Sequence, residues 1–362
     1  MTNTAELSLT TIPKKLTQRI LDDCDYPTIA VLRKVNKSLR DFIDEIIPKF
    51  LIHKLQVSFD DTELLLDMHL NQNPHPYPYG GQVNLAYSYQ GPDTLVCREK
   101  GNGERSQRKL SGTIFFERFF KDLQLVLKHQ KGYLGCLDIR GSDAIEDEKL
   151  NDYLRKFCEA VRGMPPIKAK ELAITSSETI SFQAVMALID PKVLQKVTIA
   201  DVMPVAEFKL EREVLFSWEH AKELDLSQGR FRFAYQDIMH FSKVTATIEG
   251  IFISNIMAMK QAFVHTGPPK HFNFQLNYFY DLIGNYELLG PQFENLDQRI
   301  TNWYYSSPRT VKVLRIMILN EQRLERRPML WDATRVKLKI LDIKFIGRTE
   351  VPTGAVVQIV QN

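Results

Sequence analysis

The residues able to do chemistry in this 362-residue chain are few and scattered. Asp22, Asp23 and Asp25 stand together, the composition a general acid and base would need. A cluster of that kind more commonly ends a helix and meets water, and nothing beside it asks for proton transfer. His69 and His75 border a proline-rich stretch, and His265 and His271 flank Gly267-Pro268-Pro269. No nearby cysteine completes a metal set, so all four read as loop histidines. Cys24, Cys97, Cys136 and Cys158 are far apart with no C-x-x-C pair, which predicts reduced thiols, no disulfide and no zinc. The phosphate-loop, dinucleotide, zinc-protease and nucleophile-elbow signatures are missing. No enzymatic activity, cofactor or metal is expected.

Nucleic-acid chemistry has two basic clusters to offer: Arg98, Lys100, Arg105, Arg108 and Lys109, and then Arg323, Arg326 and Arg327. Glu99 and Glu104 share the first cluster, which reads as a solvated loop. Tyr77, Tyr79, Tyr87 and Tyr89 could stack bases, but tyrosines at period two on a strand more often pack against a neighbouring strand. A formal net charge of +3 is too small a field to name a nucleic-acid partner. The opening Met1 to Thr11 lacks the basic and apolar regions of a secretory signal. The apolar run Ile251 to Met259 falls short of the roughly 18 residues that cross a bilayer. A soluble chain with no membrane partner is expected, cytoplasmic or nuclear.

The elements that must position these residues start with helices. Pro13 suits a first helical turn, and Leu16, Ile20 and Leu21 follow on one face. Past Pro27, an apolar stripe runs through Ile29, Leu32, Val35, Leu39, Phe42 or Ile43, and Ile46 at steps of three or four. So small a helical module buries too little to stand alone, so it must dock on a partner or on the rest of the chain. From Leu51 the period changes to two, as in Leu64, Leu66, Met68 and Leu70, then in Val83, Leu85, Tyr87 and Tyr89. Residues 73–81 and 98–109 read as loops, and about Ile114 to Gln130 as an amphipathic helix.

A weak repeat follows. Leu137 and Ile139, Leu172 and Ile174, Val197 and Ile199, Leu224 and Leu226, Ala246 and Ile248, and Phe272 and Phe274 each sit two apart, as one strand face requires. Successive pairs are roughly 22 to 35 residues apart, mostly within the range of leucine-rich repeats. Further strands are expected at Thr310 to Leu319 and Arg335 to Phe345. Stacked strand-helix units predict an irregular leucine-rich-repeat-like α/β solenoid behind the helices; an ordinary single-sheet α/β domain is the alternative. The residues alternating with the inward pairs should face solvent: Asp138, Arg140, Thr175, Thr198, Asp225, Ser227, Thr247, Glu249, Asn273 and Gln275 are candidates to hold a target protein.

Leu9-Thr-Thr-Ile12-Pro13-Lys-Lys-Leu16 through Ile20-Leu21, then Leu32-Arg33-Lys-Val35-Asn-Lys-Ser38-Leu39-Arg40, resembles an F-box over residues 9 to 46. Ile12 stands for the usual leucine and Lys14-Lys15 for an acidic residue. Lys170 to Thr175, Leu188 to Ile199, Trp218 to Leu226 and Ile238 to Thr245 are together similar to the FTH domain, which follows the F-box in the nematode F-box A family. The resemblance implies a substrate-receptor subunit of an SCF-type ubiquitin ligase. Ile12, Pro13, Leu16, Ile20, Leu21, Leu32, Val35 and Leu39 would bind the Skp adaptor and, through it, a cullin. The expected organisation is an F-box over 1–48, a β-containing connector over 49–110, FTH-like repeats over 111–290, and C-terminal strands completing or capping them over 291–362. A protein- or RNA-binding module outside any ligase is the alternative function.

Overall fold

Three short helices open the chain: α1 (Lys14–Asp22), α2 (Tyr26–Val35) and α3 (Lys37–Ile46). Pro13 precedes α1, and its carbonyl accepts the Leu16 and Thr17 amides at 2.8 and 3.1 Å, so an N–H that a first turn leaves unpaired is simply absent. The stripe from Ile29 to Ile46 spans two helices rather than one, with Leu21, Ile29, Leu39 and Ile43 as buried interior. The computed structural model describes residues 12–360 apart from 25, 36, 47–50, 71–81, 101–104, 131, 143, 176–178, 201–207, 267–269, 281–284, 296–298 and 326–333. The chain divides into two compact units, Met1–Ala173 with Ala184–Val193, and Ile174–Gln183 with Leu194–Asn362.

In the first unit β1 (Ile52–Phe59), β2 (Glu63–Leu70), β3 (Gln82–Gln90), β4 (Asp93–Lys100) and β5 (Arg105–Leu110) form an antiparallel meander. After α4 (Phe115–His129), β6 (Leu134–Gly141) pairs in parallel with β1. Then α5 (Asp147–Val161) leads to β7 (Ala169–Thr175), beyond β6. The stretch read as a connector is therefore built into this unit's sheet. Period-two burial puts Val57, Phe59, Leu64, Leu66 and Tyr87 on one face. The helices cover it: Phe119 of α4 meets Tyr87 edge-on at 5.4 Å, and Tyr153 of α5 meets Phe59 at 5.3 Å. Arg98 to Lys109, expected as a loop, belongs to the hairpin of β4 and β5, with 101–104 outside the described residues. Its polarity has another cause: β5 is the sheet edge, and an exposed, charged edge discourages further strand pairing.

In the second unit, after α6 (Thr179–Met186), four strands pair in parallel in chain order: β8 (Lys196–Ala200), β10 (Glu223–Gln228), β12 (Lys243–Ile251) and β13 (His271–Phe279). Between them lie the two-residue pair β9 (Phe208–Lys209) and β11 (Phe231–Arg232), α7 (Arg212–Phe216) and α8 (Ile253–Thr266). Every expected inward pair here is buried, from Val197 and Ile199 to Phe272 and Phe274, with Phe263 of α8 edge-on to Phe272 at 4.9 Å. The chain then returns through β14 (Phe293–Asn295), β15 (Ile300–Ser306), β16 (Val313–Glu325), β17 (Thr334–Ile346) and β18 (Val357–Ile359). β17 pairs antiparallel with β13, β16 with β17 and β15 with β16, while β14 and β18 both pair with β15. Val351 and Ala355 fold back onto Tyr304, Val313 and Ile346 at that end. The fold class is mixed α/β.

Candidate functional site

The residues expected to meet an adaptor separate into two sets. Leu16, Ile20 and Val35 are 53%, 45% and 62% exposed, and Val31 is likewise exposed. Pro13 is exposed, and Ile12 and Leu32 are half-buried. Leu21 and Leu39 are instead buried in the interior, so they hold the helices together and present nothing to a partner. Ion pairs Arg33–Asp44 at 2.8 Å and Lys14–Glu45 tie α2 and α1 to α3.

The ten residues expected on a common strand face fall in both units. Asp138 and Arg140 belong to the first unit and the other eight to the second. Asp138 also departs from expectation by being buried, at 1% exposure. Its carboxylate lies 2.8 Å from the Lys54 ammonium and 2.7 Å from the Arg140 guanidinium, and those two long side chains cover it. The register sets Asp138, Gln56, Asp67, Asn84, Glu99 and Arg105 side by side across the sheet. Burial pushes the Asp67 carboxyl up, with Lys54 pulling it partly back. Next to this row, His69 lies in β2 rather than in a loop, and burial together with Lys54 and His53 lowers its pKa.

In the second unit the register places Thr198, Asp225, Thr245, Asn273 and Asp342 in one row, and Thr247 beside Gln275. Ser227 is exposed, its hydroxyl donating to the Asp225 carboxylate at 2.7 Å and its carbonyl accepting from Thr247 at 3.1 Å. Thr175 and Thr198 are half-buried, and Glu249 is exposed. The sequence reading missed the adjoining row: Lys196, Glu223, Lys243, His271, Lys344 and Arg315. Its signal was available, since each of the first four precedes an outward residue by two positions and so shares its face. Asp342 holds that row. Its carboxylate meets His271 Nε2 at 2.6 Å, Arg315 at 2.8 Å and Lys344 at 3.5 Å. Burial alone would raise the Asp342 carboxyl, but the hydrogen bonds from His271 and Arg315 and the charge of Lys344 hold it far below the usual carboxylate range. His271 thus opens β13 with a structural partner.

Chemistry beyond binding finds little support among the described residues. No group of three or more His, Cys, Asp or Glu is placed to hold a metal ion. Burial pushes the Cys136 and Cys158 thiols up to about 11, opposite to the shift that makes a cysteine nucleophilic. Asp23 is exposed beyond α1. His75, Tyr77, Tyr79, Arg326 and Arg327 lie outside the described residues. No described helix is long and apolar enough to cross a membrane.

A scan of protein families matches residues 151–285 to the FTH domain. The chain carries an FTH domain. The matched stretch runs from within α5 through β13, so the FTH domain contains the parallel strands β8, β10, β12 and β13. No curated protein matches the chain. A solved structure of an S-adenosylmethionine-dependent methyltransferase from Clostridium acetobutylicum is 14% identical over 57% of this chain and 77% of that one, with a TM-score of 0.12, too low to carry any argument about fold or chemistry.

Proposed function

We propose that this protein is the substrate-receptor subunit of an SCF-type ubiquitin ligase, with the N-terminal helices as an F-box bound to the Skp adaptor and, through it, to a cullin. One observation carries the reading. Leu16, Ile20 and Val35 are exposed on helices whose interior is already filled by Leu21, Ile29, Leu39 and Ile43, and apolar side chains left to water on so small a module suit a protein contact. The FTH domain behind it supports the same reading, because that order resembles the nematode F-box A family. The parallel strands in chain order are, on this reading, an irregular leucine-rich-repeat-like solenoid, completed by the strands after residue 290. The face carrying Thr198, Asp225, Thr247, Asn273 and Gln275 then holds the target, and the complex works in the cytoplasm or nucleus.

The test is co-purification with the Skp adaptor. Leu16→Asp combined with Val35→Asp changes two exposed positions, so melting should be preserved while the adaptor is lost. Undiminished co-purification of a normally melting double variant overturns the proposal.

A further inference from the structure

The FTH domain contains a cavity that shares only Glu249 with the residues expected on the strand face. It has a volume of about 360 Å³ and opens among Phe231, Phe233, Tyr235, Ile248, Phe252 and Tyr280, with Arg232, Glu249 and Gly250 completing its wall. It lies at the carboxyl ends of the parallel strands β12 and β13, the end of an α/β sheet where ligands bind, and its size falls within the range of small-ligand sites. Phe252 and Tyr280 are 47% and 45% exposed and stack on each other at 4.5 Å with 23° between their planes. Two large rings kept half in water line the cavity. Tyr235 is held in place beside them: it donates its hydroxyl to the Gly250 carbonyl at 3.1 Å and meets Phe233 edge-on at 5.6 Å and Phe274 at 6.2 Å.

We infer that this cavity is a binding site for an aromatic side chain of a partner protein, held by stacking and edge-on ring contacts. The charge on its wall decides against an ionic ligand. Arg232 and Glu249 carry opposite charges, so neither a cation nor an anion gains from the site as a whole. A neutral ring gains from five aromatic neighbours, and aromatic anchors dominate protein interfaces. The site does not depend on the ligase reading, since every residue in it lies within 151–285 and none belongs to the N-terminal helices.

The probe is N-acetyl-tryptophanamide, titrated against the full chain by NMR line-broadening of the ligand, beside N-acetyl-leucinamide and tetramethylammonium. Saturable binding of the tryptophan amide is expected, with the other two at least several-fold weaker. Phe252→Ala and Tyr280→Ala, both at half-exposed positions, should melt normally and weaken the tryptophan amide about 2- to 10-fold each, the worth of an aromatic pair. Equal binding of the leucine amide, preference for tetramethylammonium, no saturable binding, or unchanged affinity in both normally melting variants would each overturn the assignment.

Discussion

One polar row on the sheet of each unit sets the two apart by charge. In the first unit it is mainly acidic, Asp138, Gln56, Asp67, Asn84, Glu99 and Arg105; in the second it is mainly basic, Lys196, Glu223, Lys243, His271, Lys344 and Arg315. Yet each face buries one carboxylate among cations, Asp138 with Lys54 and Arg140, and Asp342 with His271, Arg315 and Lys344. The same device solves different problems. Asp138 competes with other carboxylates for cations, because Lys54 also acts on Asp67. Asp342 is the anion that lets Arg315 and Lys344 lie side by side on paired strands.

That difference predicts unequal costs. Asp342→Asn leaves Arg315, Lys344 and His271 facing one another without a counter-charge and should cost about 3 kcal/mol, the low end for breaking a buried pair. Asp138→Asn releases Lys54 to Asp67 and leaves Arg140 free to turn into water, so about 1 to 2 kcal/mol is expected. Hydrogen exchange read separately on β16 and β17 and on β1 and β6 gives the two values without assuming one global transition. Equal costs, or a larger one at Asp138, would break the comparison.

The two faces should also respond oppositely to acid. The folded-state pKa of Asp342 is depressed, so its stabilisation is complete above the ordinary aspartate value of about 4 and is lost as pH falls below it. Asp67 is raised by burial, so it opposes folding at neutral pH, and that penalty disappears as pH falls through its raised value toward about 4. The cost of Asp342→Asn should therefore shrink on acidification below pH 4, measured from denaturant midpoints. Asp67→Asn should stabilise slightly at pH 7, a gain that fades in acid. A gain at Asp67 that grew in acid would contradict the burial argument.

What the sequence discloses about these faces is parity and little more. Alternation is a local property, so the inward pairs from Leu137 and Ile139 to Phe272 and Phe274 are legible and buried. Burial of Asp138 is not legible, because it depends on Lys54, whose strand is joined to β6 only by a parallel pairing across α4 and the meander. Asp342 is hidden similarly: its partners His271 and Arg315 come from two other strands. The helix α5 shows a different limit. Leu150, Tyr153, Leu154, Phe157, Cys158 and Val161 are buried at helical spacing, a signal that stands in the sequence between two strand pairs. At the N-terminus, spacing identifies the apolar positions but not which of them point inward, since Leu21 and Leu39 differ from Leu16 and Val35 only through packing of one helix on another.

The smallest effect belongs to the exposed half of the basic row and tests whether its charge is structural at all. Lys243 lies 3.4 Å from Glu223, and the two side chains are 52% and 41% exposed. A pair this wet is worth about 0 to 1 kcal/mol. Glu223 is also paired in register with Lys196 on its other side, so it keeps a cation neighbour when Lys243 is removed. Lys243→Met should therefore change stability by about 0.5 kcal/mol or less, and salt should alter that difference little, since so little Coulomb energy is at stake. Protection in β10 and β12 by hydrogen exchange reads it directly. A loss above about 1 kcal/mol would make the whole row a structural network like that around Asp342. The expected small value instead leaves the Lys243–Glu223 pair as a solvated contact on which the fold hardly depends.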